Sequence, residues 1–274
     1  MDQESWSVSE PQTIELAGVA EVKVALVKGR FDIVVTEGTG TTLEISEVDG
    51  QPLEVNFSNG TLKVEHFNAS NWLQRLINFQ QAATAVISIA VPAGTFVTAS
   101  TVNGDGMVSG SAKTTLRTVT GSLMADATEG MLNLDTVSGE IIARDHRGPL
   151  VVKSVSGEVM ASGQMSDVRA STVSGNVSFD LHGHPSSVNA KSVSGDITVR
   201  VPQDCGVNAT ATSASGTLLL NGERFSNLGQ NTNASAGPDS PRLTVHTSTV
   251  SGTVSIVHAQ PERQNGPSLA KEDS

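Results

Sequence analysis

A four-residue phrase returns eight times between residues 102 and 253 of this chain, and it constrains the fold more than any other feature. It reads Val-Asn-Gly-Asp at 102–105 and Val-Thr-Gly-Ser at 119–122. It then reads Val-Ser-Gly-Glu twice, Val-Ser-Gly-Asn, Val-Ser-Gly-Asp, Ala-Ser-Gly-Thr and Val-Ser-Gly-Thr. Its glycines are Gly104, Gly121, Gly139, Gly157, Gly175, Gly195, Gly216 and Gly252, spaced by 17, 18, 18, 18, 20, 21 and 36 residues. A period near 18 marks a stacked repeat, in which each unit buries its apolar face only against its neighbours.

Two long copies show the plan of a rung. Residues 140–157 and 158–175 each read as a strand, a turn (144–148, 162–167), a second strand and the Val-Ser-Gly turn. Stacking such rungs predicts columns of identical residues: Thr136, Ser154, Thr172 and Ser192; Val137, Val155, Val173 and Val193; Ser138, Ser156, Ser174 and Ser194. Parallel strands lie ~4.8 Å apart, so eight rungs extend roughly 38 Å and the hydroxyl columns are expected to hydrogen-bond along the stack. The glycine is expected to serve a corner with positive φ.

The rest of the chain is less regular. Short alternating runs between residues 12 and 67 read as strands, and Lys28–Ile33 as a degenerate first copy of the repeat. Apolar residues in Asn71–Phe79 fall on one helical face, which predicts a short covering helix near 71–80 with Ser70 as its N-cap. Residues 222–241 interrupt the period and are expected to form a long loop, and 259–274 a disordered tail. The expected organisation is an N-terminal strand region (1–100) continuous with solenoid repeats (101–258), then the tail.

Composition narrows the function classes. Seven Phe, two Trp and no Tyr leave a core of Val, Leu, Ile, Ala and Met. A net charge of -11 with no Lys/Arg cluster argues against nucleic acid as a partner. The lone Cys205 can make no internal disulfide. The N-terminus lacks the basic head and apolar stretch of a signal peptide, and no window approaches ~18 consecutive apolar residues. The expectation is a cytoplasmic protein without a membrane span, with export to the surface by another route left open.

Few residues are placed for chemistry. The acidic column Asp105, Glu140, Glu158 and Asp196 could share calcium, but a solvated face explains it better. Variable corners on a rigid scaffold are the usual place for recognition, which selects Arg144, His146, Arg147, Asp180, His182 and His184 as candidate binding residues. His182, His184 and Cys205 would suit zinc if their corners met, yet no metal or cofactor is expected. No nucleophile elbow, Walker loop or dinucleotide fingerprint occurs, so no catalytic residue is assigned. Eighteen residues is also three hexapeptides, the rung of β-helix acyltransferases, with His146 as the base. That lattice breaks at Asp167.

The Thr/Ser-Val-Ser-Gly-Glu/Asn/Asp phrase from Gly104 to Val257, with Gly-Glu-Arg-Phe at 222–225 and Val-Pro-Ala-Gly at 91–94, resembles the bacterial putative-adhesin family of domains of unknown function. The resemblance implies a β-solenoid with no established activity and no catalytic residues to carry over. The expected fold is all-β, a parallel β-solenoid of ~18–20-residue rungs. The expected function is a non-enzymatic binding or scaffold module for a protein or glycan. A carbohydrate-active or acyl-transferring enzyme and a self-assembling structural protein are the alternatives, and the sequence does not set the oligomeric state or the handedness.

Overall fold

The computed structural model describes residues 3–66, 83–225 and 231–259. The N-terminal part forms β1 (Glu4–Val8), β2 (Gln12–Ala17), β3 (Glu21–Thr36), β4 (Gly40–Asp49), β5 (Leu53–Ser58), β6 (Thr61–Glu65) and β7 (Thr84–Pro92). The repeats form β8 (Phe96–Ser109), β9 (Lys113–Thr120), β10 (Ser122–Asp126), β11 (Leu132–Thr136), β12 (Glu140–Arg147), β13 (Leu150–Ser154), β14 (Val159–Gln164), β15 (Asp167–Thr172), β16 (Val177–Leu181), β17 (Ser187–Ser192) and β18 (Ile197–Val201). The last segment adds β19 (Gly206–Ser213), β20 (Thr217–Leu220), β21 (Glu223–Phe225), β22 (Asn231–Ala236), β23 (Arg242–Thr249) and β24 (Thr253–His258). The protein is a parallel β-solenoid, and each rung places one strand in each of two facing stacks.

The first stack runs β8, β10, β12, β14, β16, β18, and the second runs β8, β9, β11, β13, β15, β17, all parallel. β3 and β8 are long enough to cross both stacks and so join them. Alternation explains the core: Leu123/Ala125, Ile141/Ala143, Val159/Ala161 and Val177/Phe179 point inward from the first stack, and Leu132/Leu134, Leu150/Val152, Val168/Ala170 and Val188/Ala190 meet them from the second. Phe31, one of the two largest fully buried side chains, fits because its partner across β3 and β8 is Gly106, where a Cβ would collide with the ring.

The repeat glycines form one column, and the expected first copy belongs to it, since Gly29 pairs with Gly104. The reason for glycine differs from the expectation. In this column only Gly29 (φ 111°) and Gly121 (φ 103°) have positive φ. At Gly121, Gly139, Gly157, Gly175 and Gly195 a Cβ would come closer than 3.0 Å to the carbonyl oxygen of the glycine one rung before. Rung-to-rung approach excludes a side chain whatever the local φ.

The hydroxyl columns divide the work. Thr136, Ser154, Thr172 and Ser192 are buried, and their hydroxyls turn back on their own corner, donating to the carbonyls of Gly139, Gly157, Gly175 and Gly195 at 2.7–3.0 Å. Ser138, Ser156, Ser174 and Ser194 do bond along the stack, each hydroxyl donating to the carbonyl of the preceding rung's valine at 3.1–3.3 Å. The valine column rides outside: Val155, Val173, Val193 and Val250 are about half exposed.

The chain does not lay its last rungs in order. β23 pairs with β17 and β24 with β18, while β19 and β20 pair on the far side of β23 and β24. The coil at 242–258 therefore fills a slot between 187–201 and 206–220, and the glycine column runs Gly195, Gly252, Gly216. Residues 222–241, expected as a loop, contain two strands: β21 pairs antiparallel with β20 and β22 with β19, across the outer rung. At the other end β6–β5–β1 and β7–β4–β2 flank the two halves of β3. The helix expected near 71–80 lies outside the described residues, as does the tail beyond Ala259. Among the described residues no helix is long and apolar enough to cross a membrane.

Candidate functional site: the outward face of the first stack

Three columns of side chains point outward from the first stack, and their register follows from the strand pairing. Beside the Val-Ser-Gly corner stand Asp105, Ser122, Glu140, Glu158, Asn176 and Asp196. Next come Met107, Met124, Ile142 and Met160, continued by Ser178 and Thr198. Toward the opposite corner lie Asp126, Arg144, Ser162, Asp180 and Arg200. Met107, Met124 and Ile142 are half-buried and Met160 is 37% exposed, so the middle column is an apolar strip between two polar borders.

Two shallow hollows sink into this face and share Ile142. One, about 230 Å³, is lined by Arg30, Asp32, Asp105, Met107, Met124 and Ile142 among others. The second, about 350 Å³, is lined by Ile142, Arg144, Met160, Ser178, Asp180 and Arg200 among others. On its border the Asp180 carboxylate lies 3.5 Å from Arg200 and 3.7 Å from His182. The inward positions of the same strands already fill the core, so these apolar side chains stand outside it.

The corner beside this strip explains its acids. The Asp105 carboxylate accepts the Ser122 N–H (2.8 Å) and that of Asp196 accepts the Thr253 N–H (2.7 Å), while the Asn176 side chain accepts the Asp196 N–H (3.2 Å). These side chains satisfy corner amides of the adjoining rung, which is a structural duty. Among the described residues no group of His, Cys, Asp and Glu is arranged to hold a metal ion.

The residues selected from the variable corners separate. Arg144 and Asp180 line the larger hollow, and Arg200, overlooked in the sequence, joins them. Arg147 is exposed and lies 3.9 Å from Glu129. His182 and His184 are exposed in the corner after β16. His146 is no surface ligand: a bulge between Ala143 and His146, with Asp145 at φ 51°, turns its ring into the core, where it is fully buried. Its Nδ1 lies 3.0 Å from both the hydroxyl and the carbonyl of Thr128, and Nε2 lies 3.3 Å from the Pro149 carbonyl. Burial lowers its proton affinity against the opposing pull of these carbonyls. Cys205 is also fully buried, its thiol pKa raised by burial, so it cannot join His182 and His184 around an exposed zinc ion. The Met/Ile strip was overlooked too, although the signal was present: each of its members follows a repeat glycine by three residues.

Comparison with known proteins agrees with this architecture. The family model described as Toastrack DUF4097 matches residues 21–257. A putative lipid binding protein from Parabacteroides distasonis has a similar structure, with 14% identity, 92% of this chain and 98% of that one covered, and a TM-score of 0.55. A putative adhesin from the same species (13% identity, 93% and 97% covered, TM-score 0.48) and one from Bacteroides fragilis (14%, 93% and 96%, 0.44) are also similar. No curated protein matches the chain.

Proposed function

We propose, from the premise that this chain belongs to the Toastrack DUF4097 family, that it is a non-enzymatic binding protein whose outward first-stack face receives an extended polypeptide segment. The observation that carries the reading is the Met107–Met124–Ile142–Met160 strip beside Asp105, Glu140 and Glu158. Apolar side chains held half-buried on a rigid sheet gain by further burial, and the neighbouring carboxylates favour a segment in which Lys or Arg alternates with apolar residues. The groups whose proton affinity burial shifts, Glu65, His66, His146 and Cys205, line neither hollow, which favours binding over acid–base chemistry at this face.

Fluorescence anisotropy with a labelled eight-residue Lys/Leu peptide and its Glu/Leu counterpart tests the reading. The Lys/Leu peptide should bind, and Met124→Gln with Met160→Gln, or Glu140→Gln with Glu158→Gln, should each weaken it by ~10-fold, about 1.4 kcal/mol. Equal binding of both peptides, or indifference to both pairs of substitutions, would overturn it.

A further inference from the structure

The opposite face carries the opposite charge pattern. Pairing of β13, β15, β17 and β23 sets Lys153, Ser171 and Lys191 in one outward column, with Arg169, Asn189 and His246 in the outward column beside it. Lys153, Arg169 and Lys191 are exposed, and no carboxylate stands among these six residues. Two acids border it: Asp135, paired in register with Lys153, accepts from Arg117 at 3.1 Å, and Asp167, two residues before Arg169, accepts from the Ser187 hydroxyl at 2.8 Å. In a chain of net charge -11, three exposed cations bordered by two acids, one of them already paired with Arg117, make this part of the face locally positive.

We propose that this field on the second stack binds an acidic polysaccharide, its carboxylate or sulfate groups meeting Lys153, Arg169 and Lys191 and its sugar hydroxyls meeting Ser171 and Asn189. The cations are laid out in a row rather than converging on a point: Lys153 and Lys191 stand two rungs apart, about 9.6 Å. A linear polymer that alternates charge with hydroxyl groups matches that layout, whereas a single small anion needs its donors gathered around it. A planar anionic membrane must approach the whole face, including Asp135 and Asp167, whereas a chain confined to the row from Lys153 to Lys191 need cover neither acid; the net charge opposes both ligands alike. This site is independent of the first-stack strip and does not rest on it.

Affinity electrophoresis of the full chain in gels containing alginate, dextran sulfate or neutral dextran provides the test. Retardation by either acidic polymer and not by neutral dextran is expected at low ionic strength, and which polymer retards identifies carboxylate or sulfate as the anion. The Lys153→Gln/Arg169→Gln/Lys191→Gln variant should lose about ten-fold or more in affinity, while Arg144→Gln/Arg200→Gln on the other face leaves it unchanged. Both variants alter exposed side chains, and circular dichroism checks that they are folded. Equal retardation by neutral dextran, full retardation of the triple variant, or binding to phosphatidylglycerol vesicles but to neither acidic polymer would overturn the proposal.

Discussion

At Gly175 the backbone runs so close to the carbonyl of Gly157 that a methyl group would overlap it, although φ there is ordinary. Gly94 has φ 84° and open space where a Cβ would go, so it isolates the other reason for glycine. Gly175→Ala should therefore cost about 2–4 kcal/mol through displaced rungs, and Gly94→Ala only about 1 kcal/mol through backbone strain. Urea denaturation of the two variants checks the order; equal losses would mean that φ rather than approach selects these glycines. Histidine makes the second residue-scale prediction. Burial lowers the His66 pKa from 6.5 to about 4, and both ring nitrogens lack a partner among the described residues. His146 is shifted in the same direction. Because the unfolded chain takes up these protons first, the histidine contribution to stability is intact above pH 6.5 and declines as pH falls toward about 4. The melting temperature should drop across that window, and His66→Gln should make the drop smaller. The sequence marked His146 as a corner residue; the bulge that inverts it has no signature in the residues themselves, because an alternating pattern does not reveal where one residue too many is inserted.

The Val-Ser-Gly turn is the repeating element, and its two hydroxyls are unequal. Ser154 is buried and donates to Gly157 at 2.7 Å, whereas Ser156 is exposed and donates to Val137 at 3.2 Å. Ser154→Ala should cost about 1 kcal/mol and Ser156→Ala less than about 0.5 kcal/mol, read from thermal or chemical melts. These turns were legible from repetition alone, and so were most repeat strands, because a stacked rung repeats its buried positions. β21 and β22 were not, since they belong to no rung: they lie antiparallel on β20 and β19, and their pairing is set by an exposed edge that the repeat pattern does not encode. The Met/Ile strip lay within reach of the same repeat. It went unread because alternation alone does not say which apolar residues face outward until the inward set is fixed.

For the whole molecule, the consequential feature is the coil at 242–258 seated between 187–201 and 206–220. Chain ends normally open first, but this late segment has a rung on either side. Hydrogen exchange followed by mass spectrometry should find β23 and β24 as protected as β17 and β18, and β21 and β22 much less. Rapid exchange throughout 242–258 would show that the slot opens readily. The sequence by itself determined the solenoid, the rung length, the glycine column and the polarity of each strand's two faces, because those depend on neighbours one period apart and repeat visibly. Tertiary structure alone decided the order of the last rungs, the inward turn of His146, and the antiparallel pairing of β21 and β22. Each of these depends on which strand lies beside which, and pairing in a stack is set by packing in three dimensions rather than by order along the chain.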